Sequence, residues 1–439
     1  MDRPRLGDDD LAEVDALLAD ADAGVSAASG GDILGRQPVH TLYVPADRVR
    51  ARHAATCGEE ALDAVFRHAP DPVTLGRVTG LDRQLLWEVF PRLFRKLHEE
   101  PVEDLRIDLE DGYGLRPDDV EDAHVATSVT ALLNRPDQAP PRWGVRIKSL
   151  EPSTRRRGLR SLDLAIGAVL DAGPLPDGFT VTLPKVSSAD QVRGLALACD
   201  RLEAAYALPP SSLGIEVQVE TPRAVLGPDG TVTLARAVQA GGSRVSGLHF
   251  GTYDYTAALG VGAAQQALDH PAADHAKAVM QVAAAATGVR VCDGSTNMLP
   301  VGTTEQVHAA WALHARLVTR SLERGFPQGW DLHPAQLVTR YLATFAFYRR
   351  GLRASARRLS AYLAGSTSGV LDEPATARAL ALPLLRGLQC GALDDDEVRA
   401  ACGLGADELG RVAATGRPEA ARAEAARPAP PGAAADGGG

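Results

Sequence analysis

The stretch that decides the fold is LRIDLEDGYG, residues 105–114. A short apolar run leads into three carboxylates, Asp108, Glu110 and Asp111, and then into a turn that contains two glycines. Like charges this close together cost free energy unless a cation or water lies beside them. The pattern predicts a buried strand that ends at a polar site.

Seven further runs share this design, in which a short β-branched segment ends in or just before a polar residue. They are HTLYVP (40–45), WGVRIK (143–148), FTVTLP (179–184), LGIEVQVE (213–220), RVSGLHF (244–250), GVRVCD (288–293) and GWDLHP (329–334). Ala/Leu-rich segments with helical periodicity separate most of them. Strands that alternate with helices in this way predict parallel βαβ units. We therefore expect an α/β protein with a (β/α)₈ TIM barrel.

Polar residues at the strand ends favour a closed barrel over an open doubly wound sheet. In a barrel all the carboxyl ends of the strands meet at one mouth, whereas an open sheet spreads them along an edge. Polar groups of this kind end or follow nearly every run: Asp47, Asp108, Arg146, Lys185, Glu220, Asp254, Asp293 and His333. We expect these side chains to converge at the mouth.

Segments outside the eight runs set the predicted domain boundaries. These are an N-terminal helical extension (1–39), a catalytic barrel (40–340), a C-terminal helical region (341–414) and a disordered Ala/Pro/Gly-rich tail (415–439). The periodicity predicts an amphipathic helix at 8–23, two helices within 48–104, and helices at 335–363, 372–388 and 394–412.

Charge and composition exclude several classes of partner. The 439 residues include 56 Asp and Glu against 46 Lys and Arg, a net charge of −10 at pH 7. No overall positive field therefore recruits nucleic acid or an anionic membrane. The first residues lack a basic and apolar leader, no apolar run reaches the ~20 residues that span a bilayer, and the five cysteines are scattered. We expect a cytoplasmic protein that binds a small molecule.

Two carboxylates at adjacent strand ends form the most informative pair. Glu220 ends one run, and Asp254 follows the next run after the turn at Gly251. Mg²⁺ keeps several of its waters and usually takes one or two protein carboxylates, so this pair fits a magnesium site. The same residues also fit a helix cap and a loop salt bridge, and the spacing alone leaves both interpretations open.

The span from about 40 to 375 resembles the HpcH/HpaI aldolase and citrate lyase β-subunit family of the phosphoenolpyruvate/pyruvate barrel superfamily. The matching segments, in chain order, are TLYVPADR, IDLEDGYG, VRIK, LPKVSSADQV, VETPRAVL, FGTYDYTAALG and GWDLHPAQL. This resemblance implies a metal-dependent carbon–carbon lyase of the aldolase type, with Mg²⁺ or Mn²⁺ as its cofactor. It further implies a small carboxylate substrate, a 2-oxo acid or an acyl-CoA thioester, and a homo-oligomer.

The resemblance also implies roles for single residues. Glu220 and Asp254 become the metal ligands. Arg146 becomes the group that grips the substrate carboxylate or enolate oxygen, with a salt bridge to Asp108 as the alternative interpretation. Asp372 becomes an acid/base that acts in its own or a neighbouring subunit, although an aspartate before Glu-Pro is also a good helix N-cap.

The remaining acids and lysines of the mouth are expected to act around these groups. We expect Asp111 to take part in catalysis and Glu110, Lys148 and Lys185 to bind the substrate. Glu110 and Asp111 are expected to reach the metal mostly through water. Lys185 is assigned to charge pairing rather than to a Schiff base, because the resembled family is metal-dependent; a purely structural role stays open. The chain departs from the family pattern at Lys148, where an asparagine is usual, and at Tyr253, where an acid is usual.

Two other functions stay open from the sequence alone. One is an acyl-CoA lyase of the malyl- or citramalyl-CoA type, or a thioesterase, on the same scaffold. The other is a non-catalytic binding barrel, since a fold does not fix a function. The joint presence of Arg146, Glu220 and Asp254 favours an enzyme. The basic run at 155–160 fits a phosphate-bearing ligand, a solvated surface or a subunit contact.

Overall fold

The eight predicted strands form one parallel sheet that curves into a nearly closed barrel. The computed structural model of the protein describes residues 7–28, 34–135, 138–364 and 373–416. Its strands are β1 (His40–Pro45), β2 (Asp104–Asp108), β3 (Arg142–Arg146), β4 (Thr180–Leu183), β5 (Gly214–Val219), β6 (Val245–Phe250), β7 (Arg290–Cys292) and β8 (Gly329–Asp331). They pair in the order β7-β6-β5-β4-β3-β2-β1-β8. A parallel bridge between Cys292 and Gln328 brings the two edges together.

Helices connect the strands, as parallel pairing requires. Before and within the barrel they are α1 (Asp8–Ala28), α2 (His53–His68), α3 (Pro72–Thr79), α4 (Arg83–Glu99), α5 (Asp118–Leu133), α6 (Arg155–Ala172), α7 (Ala189–Ala205), α8 (Pro222–Val225), α9 (Thr233–Gly241), α10 (Thr252–Ala258), α11 (Pro271–Ala284) and α12 (Thr304–Glu323). After β8 they are α13 (Gln336–Leu363), α14 (Pro374–Gln389), α15 (Asp395–Cys402) and α16 (Ala406–Thr415). None of the described helices is both long and apolar enough to cross a membrane.

Two predictions about helix number are wrong, and both fail at local start and stop signals. Three helices, not two, lie between β1 and β2, because Asp71 caps the start of α3 and Gly80, at φ +72°, ends it. The predicted helix at 394–412 is two helices, since Gly403 at φ +76° ends α15 in the left-handed conformation that glycine tolerates.

Side chains along β2 alternate between apolar and charged. Leu105 and Ile107 are buried, and so are Asp104, Arg106 and Asp108 between them. Successive side chains of a strand point to opposite faces of the sheet, so the charged set shares one face. The barrel interior therefore contains ionic groups, which the apolar appearance of the runs does not reveal.

Arg106 crosses this interior and links three strands. Its Nε lies 3.1 Å from Thr182 Oγ1 and 3.0 Å from Glu216 Oε2, and its terminal nitrogens bind Asp104 and Glu216. Burial alone would lower the pKa of Arg106, but the two carboxylates raise it. The network therefore links β2, β4 and β5 through buried charged groups, and removing one partner would leave a buried charge unpaired.

The chain divides into two compact units, Met1–Thr344 and Phe345–Gly439. The first contains the barrel. In the second, α14 contacts α16, and Leu384 and Leu409 are buried. Arg349 of the second unit donates a hydrogen bond of 2.8 Å from Nη1 to the Glu397 carboxylate.

Candidate active site

A cavity of about 420 Å³ opens at the carboxyl ends of the strands, within the first unit. Predicted site residues that line it are Asp111, Arg146, Glu220 and Asp254, and other lining residues include Tyr43, Asp108, Gln218, Gly251, Tyr253 and Trp330. The structure therefore brings together the predicted cation and the predicted metal ligands. Active sites of (β/α)₈ enzymes lie at this end of the barrel.

Arg146, the last residue of β3, is held by Asp108, the last residue of β2. Its Nε donates to Asp108 Oδ1 at 2.7 Å and its Nη2 donates to Oδ2 at 2.6 Å, a bidentate pair. Burial alone would lower the pKa of Arg146, but the Asp108 carboxylate raises it, so the guanidinium stays charged. The remaining nitrogen, Nη1, lies 3.4 Å from Gln218 Oε1.

Two aromatic rings form a wall beside this guanidinium. The Arg146 Cζ atom lies 4.8 Å from the centre of the Tyr43 ring and 5.9 Å from that of Trp330, and the two rings stack at 4.4 Å. Such cation–π contacts stabilise a charge that is removed from water. Neither aromatic residue, Tyr43 in β1 or Trp330 in β8, was predicted from the sequence as part of the site.

Glu220 is buried directly after β5 and is fixed from two sides. Its Oε1 accepts the backbone N–H of Lys185 at 2.6 Å, and its Oε2 accepts the side-chain amide of Gln218. Burial raises the pKa of Glu220 to about 7. Gly251 lies so close that a Cβ there would stand 2.7 Å from Glu220 Oε2. Gln218 was not predicted from the sequence, although the alternating polar residues of LGIEVQVE indicate a shared inward face.

Lys185 lies at the exposed side of the mouth, where its ammonium contacts three carboxylates. Its Nζ lies 2.8 Å from Asp254 Oδ2, 2.8 Å from Asp111 Oδ2 and 3.2 Å from Glu110 Oε1. Burial alone would lower the pKa of Lys185, but Glu220 and these acids raise it. The predicted charge-pairing contacts of Lys185 are therefore present.

The two acids of the opening stretch differ in environment. The Glu110 side chain is only 9 % exposed, and burial raises its pKa to about 7. The Asp111 side chain is 55 % exposed. Its partial burial alone would raise its pKa, but the hydrogen bond from Lys185 outweighs this effect and the pKa of Asp111 lies below its ordinary value. Glu110 Oε2 also lies 3.8 Å from Arg146 Nη1, so this acid stands between the two cations of the mouth.

Lys148 does not line the cavity. Its Nζ donates to the carbonyls of Leu109 at 2.6 Å and Gly114 at 3.2 Å, and it pairs with Glu121 at 3.0 Å. These contacts fix the backbone at both ends of the segment 109–114, the acidic loop. Substrate binding by Lys148 stays a prediction. Asp372 lies outside the described residues, so its predicted acid/base role stays a prediction as well.

The basic run at the start of α6 is engaged within the chain. Arg157 and Arg160 both pair with Asp122, and Arg157 Nε lies 3.1 Å from Glu121 Oε1. Arg155 Nε donates to the Leu150 carbonyl at 3.1 Å. These contacts favour a structural role for the run over the binding of a phosphate-bearing ligand.

The donor set of the mouth fits a hard divalent cation. Four carboxylates, Glu110, Asp111, Glu220 and Asp254, contact Lys185 through its ammonium or its backbone N–H. Among the residues that the structure describes, no group of three or more His, Cys, Asp or Glu side chains is already arranged around a metal position. Mg²⁺ usually takes only one or two protein carboxylates and keeps several waters, so the chemistry of these donors fits it.

Comparison with known proteins gives a family and a set of structural neighbours. The family model described as "Domain of unknown function (DUF6986)" matches residues 18–416. No curated protein matches the sequence.

Among solved structures, the chain is similar to Haloferax volcanii malate synthase in its lead(II) complex, with 17% identity over 86% of this chain and 88% of that chain and a TM-score of 0.47. It is also similar to CitE from Mycobacterium tuberculosis in complex with magnesium, acetoacetate and coenzyme A, with 21% identity over 82% of this chain and 100% of that chain and a TM-score of 0.47. These identities and TM-scores are too low to transfer an activity to this chain.

Proposed function

This chain belongs to the family described as a domain of unknown function (DUF6986), and we propose that it is a magnesium-dependent carbon–carbon lyase. The observation that carries the proposal is that Arg146, Glu220 and Asp254 line one cavity of about 420 Å³. The motif resemblance to the HpcH/HpaI aldolase and citrate lyase β-subunit family supports the same class of reaction. The substrate would be a small 2-oxo or hydroxy carboxylate.

Arg146 would bind the substrate through Nη1, because Asp108 already engages Nε and Nη2. A planar guanidinium pairs well with a carboxylate or an enolate oxygen. The Tyr43 and Trp330 rings would limit the carbon chain on one side. A cavity of about 420 Å³ suits a small carboxylate; an acyl-CoA substrate would place only its acyl end inside.

Glu220 and Asp254, which both line the cavity, would hold the metal. When bound, Mg²⁺ or Mn²⁺ supplies Lewis-acid polarisation of the substrate oxo group. The buried Glu220 is oriented by Gln218 and by the backbone of Lys185, whereas Asp254 is 47 % exposed and contacts the ammonium of Lys185. One buried and one exposed carboxylate suit a cation that keeps several waters.

In cleavage of a 4-hydroxy-2-oxo acid, the C4 hydroxyl loses a proton, the bond between C3 and C4 breaks, and C4 leaves as an aldehyde or ketone. The electron pair passes to the oxo-acid fragment, which forms as an enolate and then takes up a proton at carbon. Arg146 would stabilise the enolate oxygen, and Asp111, exposed at the mouth, would carry the proton. Asp372 is the alternative proton carrier.

The test is a screen of hydroxy-2-oxo acids and acyl-CoA thioesters with Mg²⁺ or with EDTA, read as release of 2-oxo acid and of free CoA. We expect metal-dependent carbon–carbon cleavage that Arg146→Met lowers by about 10²-fold or more. Arg160→Met, at the surface, is the matched control and keeps full activity. Release of CoA without carbon–carbon cleavage would identify a thioesterase instead. Cleavage that survives EDTA, or no cleavage in any class, would contradict the proposal.

A further inference from the structure

One residue contacts both proposed metal ligands. The backbone N–H of Lys185 donates to Glu220 Oε1 at 2.6 Å, while its Nζ lies 2.8 Å from Asp254 Oδ2. The residue has φ +53°, a left-handed conformation that is uncommon for a non-glycine residue. This conformation places the main chain against one ligand and the ammonium against the other.

The ammonium is also the centre of the acidic cluster. Besides Asp254, it lies 2.8 Å from Asp111 Oδ2 and 3.2 Å from Glu110 Oε1. A positive charge that neutralises a set of hard oxygen donors occupies the environment that a divalent cation requires. The ammonium and the metal therefore compete for the Asp254 carboxylate.

We infer that Lys185 is the resident counter-ion of this site and that its ammonium leaves Asp254 when the divalent cation binds. The inference rests on the proposed function, because it takes Glu220 and Asp254 as the ligands. Once displaced, the ammonium stays at the mouth, on a side chain that is 28 % exposed, where it can bind an anionic substrate. Metal binding thus precedes substrate binding, and Lys185 sets the affinity for the metal.

Lys185 suits this role because it is the accessible lysine of the chain. The sequence contains four lysines. The other three, Lys96, Lys148 and Lys277, are buried, with 8 %, 5 % and 3 % exposure. The displaced ammonium is therefore also the natural position for a spectroscopic probe.

The first test is titration of Mn²⁺ into the full chain, with bound metal read by electron paramagnetic resonance. Lys185→Met removes the competing charge and should tighten Mn²⁺ binding by about tenfold, since ligand charge sets affinity at such sites. Lys185→Arg keeps the charge and should retain the wild-type Kd within about threefold. An unchanged or weakened Kd in Lys185→Met, with wild-type binding intact, overturns the inference and leaves the proposed function standing. Absence of Mn²⁺ binding in every variant overturns both.

The second test needs no substitution at Lys185. Reductive ¹³C-methylation keeps the charge of an amine. Lys185, as the most exposed lysine, should be methylated most readily and give the strongest lysine signal in the NMR spectrum. We expect this NMR signal to shift on addition of Mg²⁺ in the wild type and to stay fixed in Glu220→Gln. If the signal does not shift at saturating Mg²⁺ in a protein that binds Mn²⁺, the ammonium stays beside Asp254. That result overturns the inference that the metal displaces it.

Discussion

The guanidinium of Arg146 and the carboxylate of Asp108 meet through two parallel hydrogen bonds, 2.7 and 2.6 Å long, between the last residues of adjacent strands. The same carboxylate accepts the backbone N–H groups of Glu110 at 2.9 Å and Gly112 at 3.0 Å. One buried acid therefore orients the proposed substrate-binding cation and shapes the acidic loop. This relationship connects the stability of the mouth to its chemistry.

Asp108→Asn should lower the free energy of unfolding by about 3 kcal/mol, because it leaves the buried Arg146 charge without its counter-ion. Urea denaturation at pH 7 measures this loss. Asp190→Asn is the matched control, since its partner Arg193 is exposed and such pairs contribute less than about 1 kcal/mol. An equal decrease in the free energy of unfolding in the two variants would show that the buried Asp108–Arg146 pair contributes no more to stability than an exposed pair.

Gln218→Met should weaken Mg²⁺ binding by about 10–100-fold, because Gln218 orients Glu220 and also lies against Arg146. Calorimetric titration of Mg²⁺ gives the Kd directly. If Gln218 only stabilises the fold, Gln218→Met will instead lower the melting temperature and leave the Kd for Mg²⁺ unchanged.

Gly251→Ala should disrupt the site because an added Cβ would lie 2.5 Å from the Cβ of Glu220 and 2.7 Å from its Oε2. We expect loss of Mg²⁺ binding with the barrel still folded, measured by calorimetry and circular dichroism. Gly194→Ala in α7 is the control, since a Cβ there meets nothing within 4 Å. That variant should be as stable as the wild type or up to about 1 kcal/mol more stable. Full Mg²⁺ binding by Gly251→Ala would contradict the proposed position of Glu220.

The stability of the barrel should depend on pH through His40. Burial lowers its pKa to about 4 from 6.5, although Asp331 and Glu103 act in the opposite direction. As the pH falls from 6.5 towards 4 the unfolded chain takes up the His40 proton first, so the contribution of His40 to the free energy of unfolding decreases across this window.

Urea denaturation at several pH values between 4.5 and 7.5 measures the slope. His40→Asn should remove from this slope a contribution on the order of 3 kcal/mol, read as the difference between the two proteins, because His314 and the buried acids Glu110 and Glu220 titrate in both. A slope that is the same in His40→Asn would rule out this histidine as the source.

Much of the fold follows from the sequence because each strand is a short apolar run with a polar end. The strands His40–Pro45 and Val245–Phe250 agree within one residue with the predicted runs at 40–45 and 244–250. The contents of the barrel were not predicted. In a strand buried on both faces, inward residues such as Arg106 and Glu216 look like isolated interruptions until their partners across the barrel are known.

The candidate site was predictable where the chemistry follows a strand end. Arg146, Glu220 and Asp254 line the cavity for that reason. Lys148 does not line it, although it follows the same strand as Arg146, because carbonyls of the acidic loop and Glu121 hold its ammonium. Such tertiary contacts have no sequence signature.

The most direct measurement of the central claim is calorimetric titration of Mg²⁺ into the wild type, Glu220→Gln, Asp254→Asn and the surface control Asp190→Asn. The account predicts one site in the wild type and in the control, and at least tenfold weaker binding in each ligand variant. Wild-type affinity in both Glu220→Gln and Asp254→Asn would contradict it.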